Sequence, residues 1–436
     1  MIKQYTSKLG ENRGQKRIYL ECQRLKDTEF KPNTSFEYST KLYRLEIIIS
    51  KKGHNKISQR RGKPILDLNN QIVTDTFPDI KKVNIILSST KIIITIHNKE
   101  LFLRNAKEKV KRGNLNFIDI FCGGGLLTEA FKSAGFNPVI GVEKEDKYLE
   151  IYENNNYLVK TYCSEIQDAD FKEFDSTLLL ASPPCENFSN SGYAKGNLAG
   201  KGKGGHLTYW TLSAIEKVQP ACIFIEEVPN YQTSTAAHML RTVLTEMGYY
   251  TDEIIIKGSD FGSISKRKRF YLFASIFPGF KFETKKCLPT KTVKDILENS
   301  EREWLTEENS ATIRTFKRRE AGHIAKGDGF RLAGVNHDDT QIPTITKGYS
   351  KRRLTDPILQ YKDKYSFFTP RELANISGLP QNFKLGNKTI SSEIIGQGVS
   401  VDVVSELAKQ IMDFIKYNMK KKMRAKLMSR GKNERL

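Results

Sequence analysis

Between residues 116 and 275 the chain alternates short apolar runs with segments whose apolar positions recur every three or four residues. The runs "NFIDIF" (116–121), "PVIGVE" (138–143), "STLLLAS" (176–182), "ACIFIEEV" (221–228), "EIIIKG" (253–258) and "RFYLFAS" (269–275) read as strands. Their centres lack the apolar-polar alternation of a half-exposed strand, so they are expected to be covered on both faces. Between them, Leu126, Leu127, Ala130, Phe131 and Ala134 share one helical face and Gly135 supplies a stop. Segments 208–218 and 236–248 have helical spacing as well. Strands and helices in this order predict an α/β fold built on a doubly wound, mostly parallel sheet.

The flanks follow other rules. Residues 1–110 show no long helical period. They contain the β-rich runs "RIYLEC" (17–22), "LYRLEIIIS" (42–50), "VNIILSS" (83–89) and "KIIITIH" (91–97), which predict a separate β-rich domain. Alternation is lost again over 300–355, a Gly-, Arg- and Lys-rich stretch expected to form its own lobe, and returns near "TPRELANISGLP" (369–380). The expected organisation is a basic β domain (1–110), an α/β domain (111–299 and 356–415) interrupted by the lobe (300–355), and a helix-like basic tail (416–436).

Charge sharpens this division. Of the net +21, residues 1–110 carry 23 Lys/Arg against 11 Asp/Glu, and residues 416–436 carry nine against one. Residues 111–415 hold 39 against 38 and are nearly neutral. Excess positive charge confined to the two ends suits a polyanion such as DNA, through neutralised phosphates and released counterions. The six cysteines are scattered, with no CxxC pair and no histidine cluster, so neither a zinc site nor a disulfide framework is expected. The start "MIKQYTSKLGEN" has no apolar signal core and no run approaches a membrane span. A soluble, cytoplasmic protein follows, with no membrane partner and no metal.

Candidate chemistry sits where strands end. "DIFCGGG" (119–125) joins the first strand to the first helix, where glycines admit a ligand to the backbone and to the helix amino end. Glu143 closes the second strand, the position from which an acid accepts ribose hydroxyls in open α/β folds. In "LLLASPPCENFSNSG" (178–192) two prolines stop a strand and hold Cys185 on a stiff loop at its carboxyl end. Glu226, in "FIEEVPN" (224–230), ends the next strand, so a thiol and a carboxylate are expected to face one cleft. Taken alone, such a cysteine is more often a small buried apolar group.

These segments, in order over most of 116–405, resemble the DNA cytosine-C5 methyltransferases. "DIFCGGG" resembles the cofactor motif, "SPPCENFS" the Pro-Cys nucleophile loop and "FIEEVPN" the Glu-Asn-Val motif. "DFGSISKRKRF" (260–270) resembles the Gln-x-Arg-x-Arg motif, "TPRELANISGLPQNF" the penultimate block and "IGQGVSVDVV" (395–404) the final Gly-Asn-x-Val block. The resemblance implies a Rossmann-like methyltransferase domain with 300–355 as its target-recognition lobe. It implies S-adenosyl-L-methionine as cofactor, held by Phe121, Gly123, Gly125, Glu143, Glu165 and Gln397. It implies Cys185 as nucleophile on carbon 6 of a flipped-out cytosine, Glu226 as the acid at ring N3, and Arg267 and Arg269 beside them. Ser189, and Thr344 in "PTIT" (343–346), become DNA contacts, and the final block is expected to fold back beside the first strand. Double-stranded DNA is the expected partner of a protein monomeric on DNA, with a cognate restriction endonuclease in a modification system of bacterial or phage type.

Three positions depart from the family pattern: Glu227 replaces the Asn that braces the nucleophile loop, Ser265 replaces Gln, and Gln397 replaces Asn. They leave open a catalytically silent DNA-binding regulator, and the shared fold leaves open a tRNA cytosine-C5 methyltransferase.

Overall fold

The computed structural model describes residues 2–171, 174–184, 205–283 and 286–433, with the backbone alone for 205–206 and 421–433. The chain divides into two compact units, Met1–Asn105 and Ala106–Leu436.

The smaller unit contains strands β1 (Lys3–Lys8), β2 (Gly10–Asn12), β3 (Gln15–Glu21), β4 (Ser35–Lys41), β5 (Arg44–Ile49), β6 (Asn55–Lys56), β7 (Ser58–Arg60), β8 (Lys63–Asn69), β9 (Lys82–Leu87) and β10 (Lys91–Ile96). They form an antiparallel six-stranded sheet, β1-β9-β10-β5-β4-β6, and a four-stranded sheet, β2-β3-β8-β7. Residues facing inward from both sheets, among them Ile18, Leu20, Leu66, Ile47, Ile85 and Ile94, share one core. The four expected strands are present as β3, β5, β9 and β10. The half-exposed strands β1 and β4 carry too few apolar residues to be read from sequence. Two helices also go beyond the all-β expectation: α1 (Gln71–Thr76), capped by the Asn70 side chain on Val73 N–H, and α2 (Asn98–Lys111). The division between the units falls inside α2, a few residues before the expected boundary at 110.

The larger unit is built on β11 (Asn116–Ile120), β12 (Asn137–Glu143), β13 (Lys160–Cys163), β14 (Leu178–Ala181), β15 (Cys222–Glu227), β16 (Tyr250–Lys257) and β17 (Lys268–Ser275). Their order is β13-β12-β11-β14-β15-β17-β16. The first five strands are parallel, and β17 runs antiparallel to both of its neighbours. Helices α3 (Leu126–Ser133), α4 (Asp146–Asn155), α5 (Gly205–Val218) and α6 (Thr235–Met247) connect the strands. The doubly wound sheet is as expected; β13, short and at the edge, is an addition. Phe131 of α3 packs on Phe117, Phe136 and Phe224, which fixes α3 against the sheet centre. Strand order reverses at β11, which pairs with β12 on one side and β14 on the other, and that reversal opens a crevice at the strands' carboxyl ends.

Beyond the sheet, α7 (Ala311–Ala325) and strands β18 (Gly334–Val335), β19 (Ile358–Tyr361) and β20 (Lys364–Ser366) form a lobe. Its small core joins Leu305, Ile313, Phe316, Leu354, Ile358 and Tyr365, and so continues past residue 355. The chain returns through α8 (Pro370–Ile376), opened by a Thr369–Glu372 capping box, then α9 (Lys388–Gln397) and α10 (Val401–Asn433). The final block packs on the glycine turn and α3. A Cβ at Gly124 would press on Ile394, Gly398 abuts Leu126, and the Ser133 hydroxyl donates to Ser405 Oγ at 2.8 Å. The segment after residue 416 continues α10 as helix. Among the described residues no helix is long and apolar enough to cross a membrane.

Candidate active site

Four strand ends converge on the crevice. After β11 the turn Phe121–Gly125 takes positive φ at Phe121 (63°), Gly123 (51°) and Gly125 (90°). The turn is held from below and beside: Cys122 N–H donates to Val142 O at 3.0 Å, and the Ser182 hydroxyl donates to Phe121 O at 3.2 Å. Ser182 immediately precedes Pro183, so the glycine turn is tied to the segment that enters Pro183–Pro184. A Cβ built on Gly123 meets no atom within 4 Å. The face of the turn is therefore open, as a bound ligand requires.

Glu143, at the end of β12, is half-buried and faces this turn. Its Oε2 accepts Gly123 N–H at 3.0 Å, and its Oε1 accepts Lys144 and Glu145 N–H at 2.9 and 3.0 Å. A carboxylate offers roughly four acceptor positions, so about one is left for a ribose hydroxyl rather than the two expected. Beneath the turn Asp119 is fully buried, accepts the Thr128 hydroxyl at 2.6 Å, and is pushed by burial up to about 7, with the Glu143 charge adding to the effect. Its other oxygen has no partner.

At the end of β15, Glu226 and Glu227 point to opposite faces of the sheet. Glu226 lies opposite Tyr271 of β17, and Arg269, two residues earlier on the same face, is its diagonal neighbour. Arg269 Nε meets Glu226 Oε1 at 2.7 Å, with both side chains largely buried. Burial raises the Glu226 pKa, and the Arg269 and Arg267 charges oppose that rise. Glu227 is 2 % exposed; its Oε2 accepts Val228 N–H at 2.8 Å and its Oε1 has no partner. Burial pushes its carboxyl up to about 8, which leaves it neutral at pH 7.

The remaining candidates are placed as follows. Glu165 is exposed, with Lys144 Nζ at 3.8 Å, while Gln397 donates to Tyr148 Oη at 3.2 Å. Ser265 is buried in a turn, its hydroxyl accepting Arg267 N–H at 3.3 Å. Arg267 does not share Arg269's ion pair with Glu226; its Nη2 donates to the carbonyls of Ile345, Ile395 and Gly396. Thr344 stands beside that contact. Cys185 and Ser189 lie outside the described residues. Sequence reasoning missed Ser182, Asp119 and Tyr148. Asp119 and Ser182 both stand inside segments singled out from the sequence, whereas nothing in the sequence marks Tyr148.

The family model for C-5 cytosine-specific DNA methylase matches residues 115–413. The chain belongs to this family. The methylase uses S-adenosyl-L-methionine to methylate carbon 5 of cytosine in DNA. The match begins beyond the smaller unit, which is an addition to the family domain. Among curated relatives, the type II methyltransferase M.DsaV of Dactylococcopsis salina is 26% identical over 322 residues, covering 70% of this chain and 88% of the relative. M.Bsp6I, a type II methyltransferase of Bacillus sp. (strain RFL6), is 26% identical over 314 residues, covering 68% and 98%. The solved structure of the Entamoeba histolytica methyltransferase EhMeth superposes with a TM-score of 0.57 at 20% identity, covering 69% of the methylase and 99% of that chain, and shows the shared fold.

Proposed function

We propose that Cys185 and Glu226 carry the methylase's chemistry. Glu226 supports this reading most directly: it is a buried carboxyl group held by Arg269 at the end of β15, the strand paired with the one that leads into Pro183–Pro184 and Cys185. The Cys185 thiolate attacks carbon 6 of the target cytosine, and the C5–C6 π electrons move toward N3, where Glu226 supplies a proton. Carbon 5 thereby gains enamine character. S-adenosyl-L-methionine supplies an electrophilic methyl group carried on a sulfonium. Once carbon 5 is methylated, loss of its proton to water restores the C5–C6 double bond and expels the Cys185 sulfur as thiolate, and the N3 proton returns to Glu226. Arg269 orients Glu226, and its charge opposes the rise in pKa that burial causes.

The residues around the glycine turn fit the cofactor. The open face over Gly123, the strained Phe121–Gly125 turn and the remaining acceptor position of Glu143 suit an adenosine moiety, with Glu165 and Gln397 at the rim. Glu227, neutral at pH 7, is closer in charge to the family's asparagine than its ionised form would be, so this departure adds no negative charge beside Glu226. Ser189 and Thr344 contact DNA, and the lobe reads the target sequence. The smaller unit adds a grip on the phosphate backbone through its excess of Lys and Arg. The relatives named as type II methyltransferases support placement in a restriction–modification system. In this reading the methylase acts as a cytoplasmic monomer on DNA beside a cognate endonuclease.

The test is methyl transfer from labelled S-adenosyl-L-methionine to unmethylated genomic DNA, with tRNA in parallel and Cys185→Ser as control. Label in DNA that disappears in the variant is expected. Label that persists in Cys185→Ser removes the nucleophile assignment, and label confined to tRNA overturns the choice of DNA as the working substrate.

A further inference from the structure

Arg267 is almost fully buried, one residue before β17, and its Nη2 donates to the carbonyl oxygens of Ile345 at 2.6 Å, Gly396 at 3.1 Å and Ile395 at 3.2 Å. These acceptors belong to two segments far apart in the chain: 343–347, which contains Thr344, and the final block, which contains Gln397. The same segments meet a second time at Gly396. A Cβ there would overlap the Thr346 carbonyl and the Lys347 nitrogen, so only glycine permits the approach. They meet a third time through Tyr148, on the helix that follows Glu143. Lys347 Nζ lies 5.9 Å from the Tyr148 ring centroid, while Tyr148 Oη donates to Glu393 at 2.8 Å and accepts from Gln397 at 3.2 Å.

A guanidinium suits this junction. The two N–H groups of Nη2 are held in the plane of the group and are shared among the three carbonyls, whereas an ammonium is a compact point charge on a flexible stem. The segment 343–347 is also pinned to the approach to β17, where Ile342 N–H donates to Ile264 O at 2.7 Å and Lys266 N–H to Ile342 O at 2.9 Å. Two residues beyond Arg267, Arg269 holds Glu226. One short stretch of chain therefore touches the recognition segment, the cofactor-side block and the carboxyl group at the reaction centre.

We propose that Arg267 is a positioning residue that locks segment 343–347 to block 393–398, so that binding of DNA and binding of cofactor strengthen one another. The proposal rests on the reading that Thr344 faces DNA and the final block faces cofactor. Binding coupled in this way is reciprocal: DNA tightens cofactor by the same factor as cofactor tightens DNA.

The experiment titrates the full-length protein with S-adenosyl-L-homocysteine in a calorimeter, with and without sheared unmethylated genomic DNA. Wild type is expected to bind the nucleoside about five-fold or more tightly when DNA is present. In Arg267→Ala that ratio falls to about one, and Arg267→Lys restores part of it. A merely structural role would weaken both affinities and leave the ratio intact. Gly396→Ala, which forces the segments apart while the guanidinium itself is kept, is expected to lower the ratio too, and serves if Arg267→Ala does not fold. A wild-type ratio of one, or variants that keep the wild-type ratio, overturn the proposal. Wild-type protein that binds neither probe would instead bring down the underlying reading of the site.

Discussion

Replacing Glu227 by glutamine removes a proton-binding group and preserves its shape. In the folded protein burial holds the Glu227 carboxyl at about 8 against an ordinary value of 4.5; the Val228 N–H and the Arg269 charge oppose the rise, and the Glu226 charge reinforces it. The raised value has a definite sign. Below 4.5 both folded and unfolded chains are protonated and the full stability is present. Between 4.5 and about 8 only the folded chain keeps the proton, so stability falls by about 1.4 kcal/mol for each unit of pH. The full loss above 8 is on the order of 5 kcal/mol, of which roughly 3 kcal/mol falls between pH 6 and pH 9. Urea unfolding at pH 6, 7, 8 and 9 measures it. Trp210 and Trp304, the chain's two tryptophans, both lie in the larger unit, so their fluorescence reports that unit alone. Asp119, with a pKa near 7, acts in the same direction in both proteins and cancels from the difference. Stability of Glu227→Gln should therefore fall less steeply over this range, by roughly 3 kcal/mol in total. Parallel lines for the two proteins would refute the reasoning, because they would mean that Glu227 is ionised in the fold or not buried in it.

Glu226→Gln removes the proposed acid at N3 and should lower kcat by about 10²- to 10⁴-fold, with S-adenosyl-L-homocysteine affinity unchanged in calorimetry. Arg269→Ala leaves Glu226 buried without its ion partner and should destabilise the larger unit by about 3 kcal/mol in the same urea assay. Gly123→Ala meets no protein atom, so its stability loss is confined to about 1 kcal/mol of left-handed backbone strain, while cofactor affinity should fall by more than ten-fold because the methyl group enters the open face. Deleting residues 1–105 should flatten the dependence of DNA affinity on salt concentration, measured by fluorescence anisotropy; an unchanged slope would remove the smaller unit from the DNA interface.

The central sheet was legible because its middle strands are covered on both faces. Leu178–Ala181 and Cys222–Glu227 are buried at every position, and such runs stand out from their neighbours. The edge strand Lys160–Cys163 and the half-exposed strands of the smaller unit have mixed patterns that turns and loops share. Helix α2 escaped notice because its apolar residues are diluted by Lys, Glu and Asn, and tertiary packing rather than pattern decides such a helix.

The amino-acid sequence by itself determined the order of the buried strands of the central sheet, the location of the glycine turn, the acids at the ends of β12 and β15, and the family, because these reside in local spacing and residue type. Only the tertiary structure decided which groups meet. Strand pairing in opposite directions set Arg269 diagonally against Glu226, while Arg267 turned to carbonyls of two remote segments. Burial, a property of everything packed around a residue, turned Glu227 from an apparent surplus charge into a neutral acid. Contacts and dielectric surroundings are set by segments far apart along the chain, and no local pattern records them.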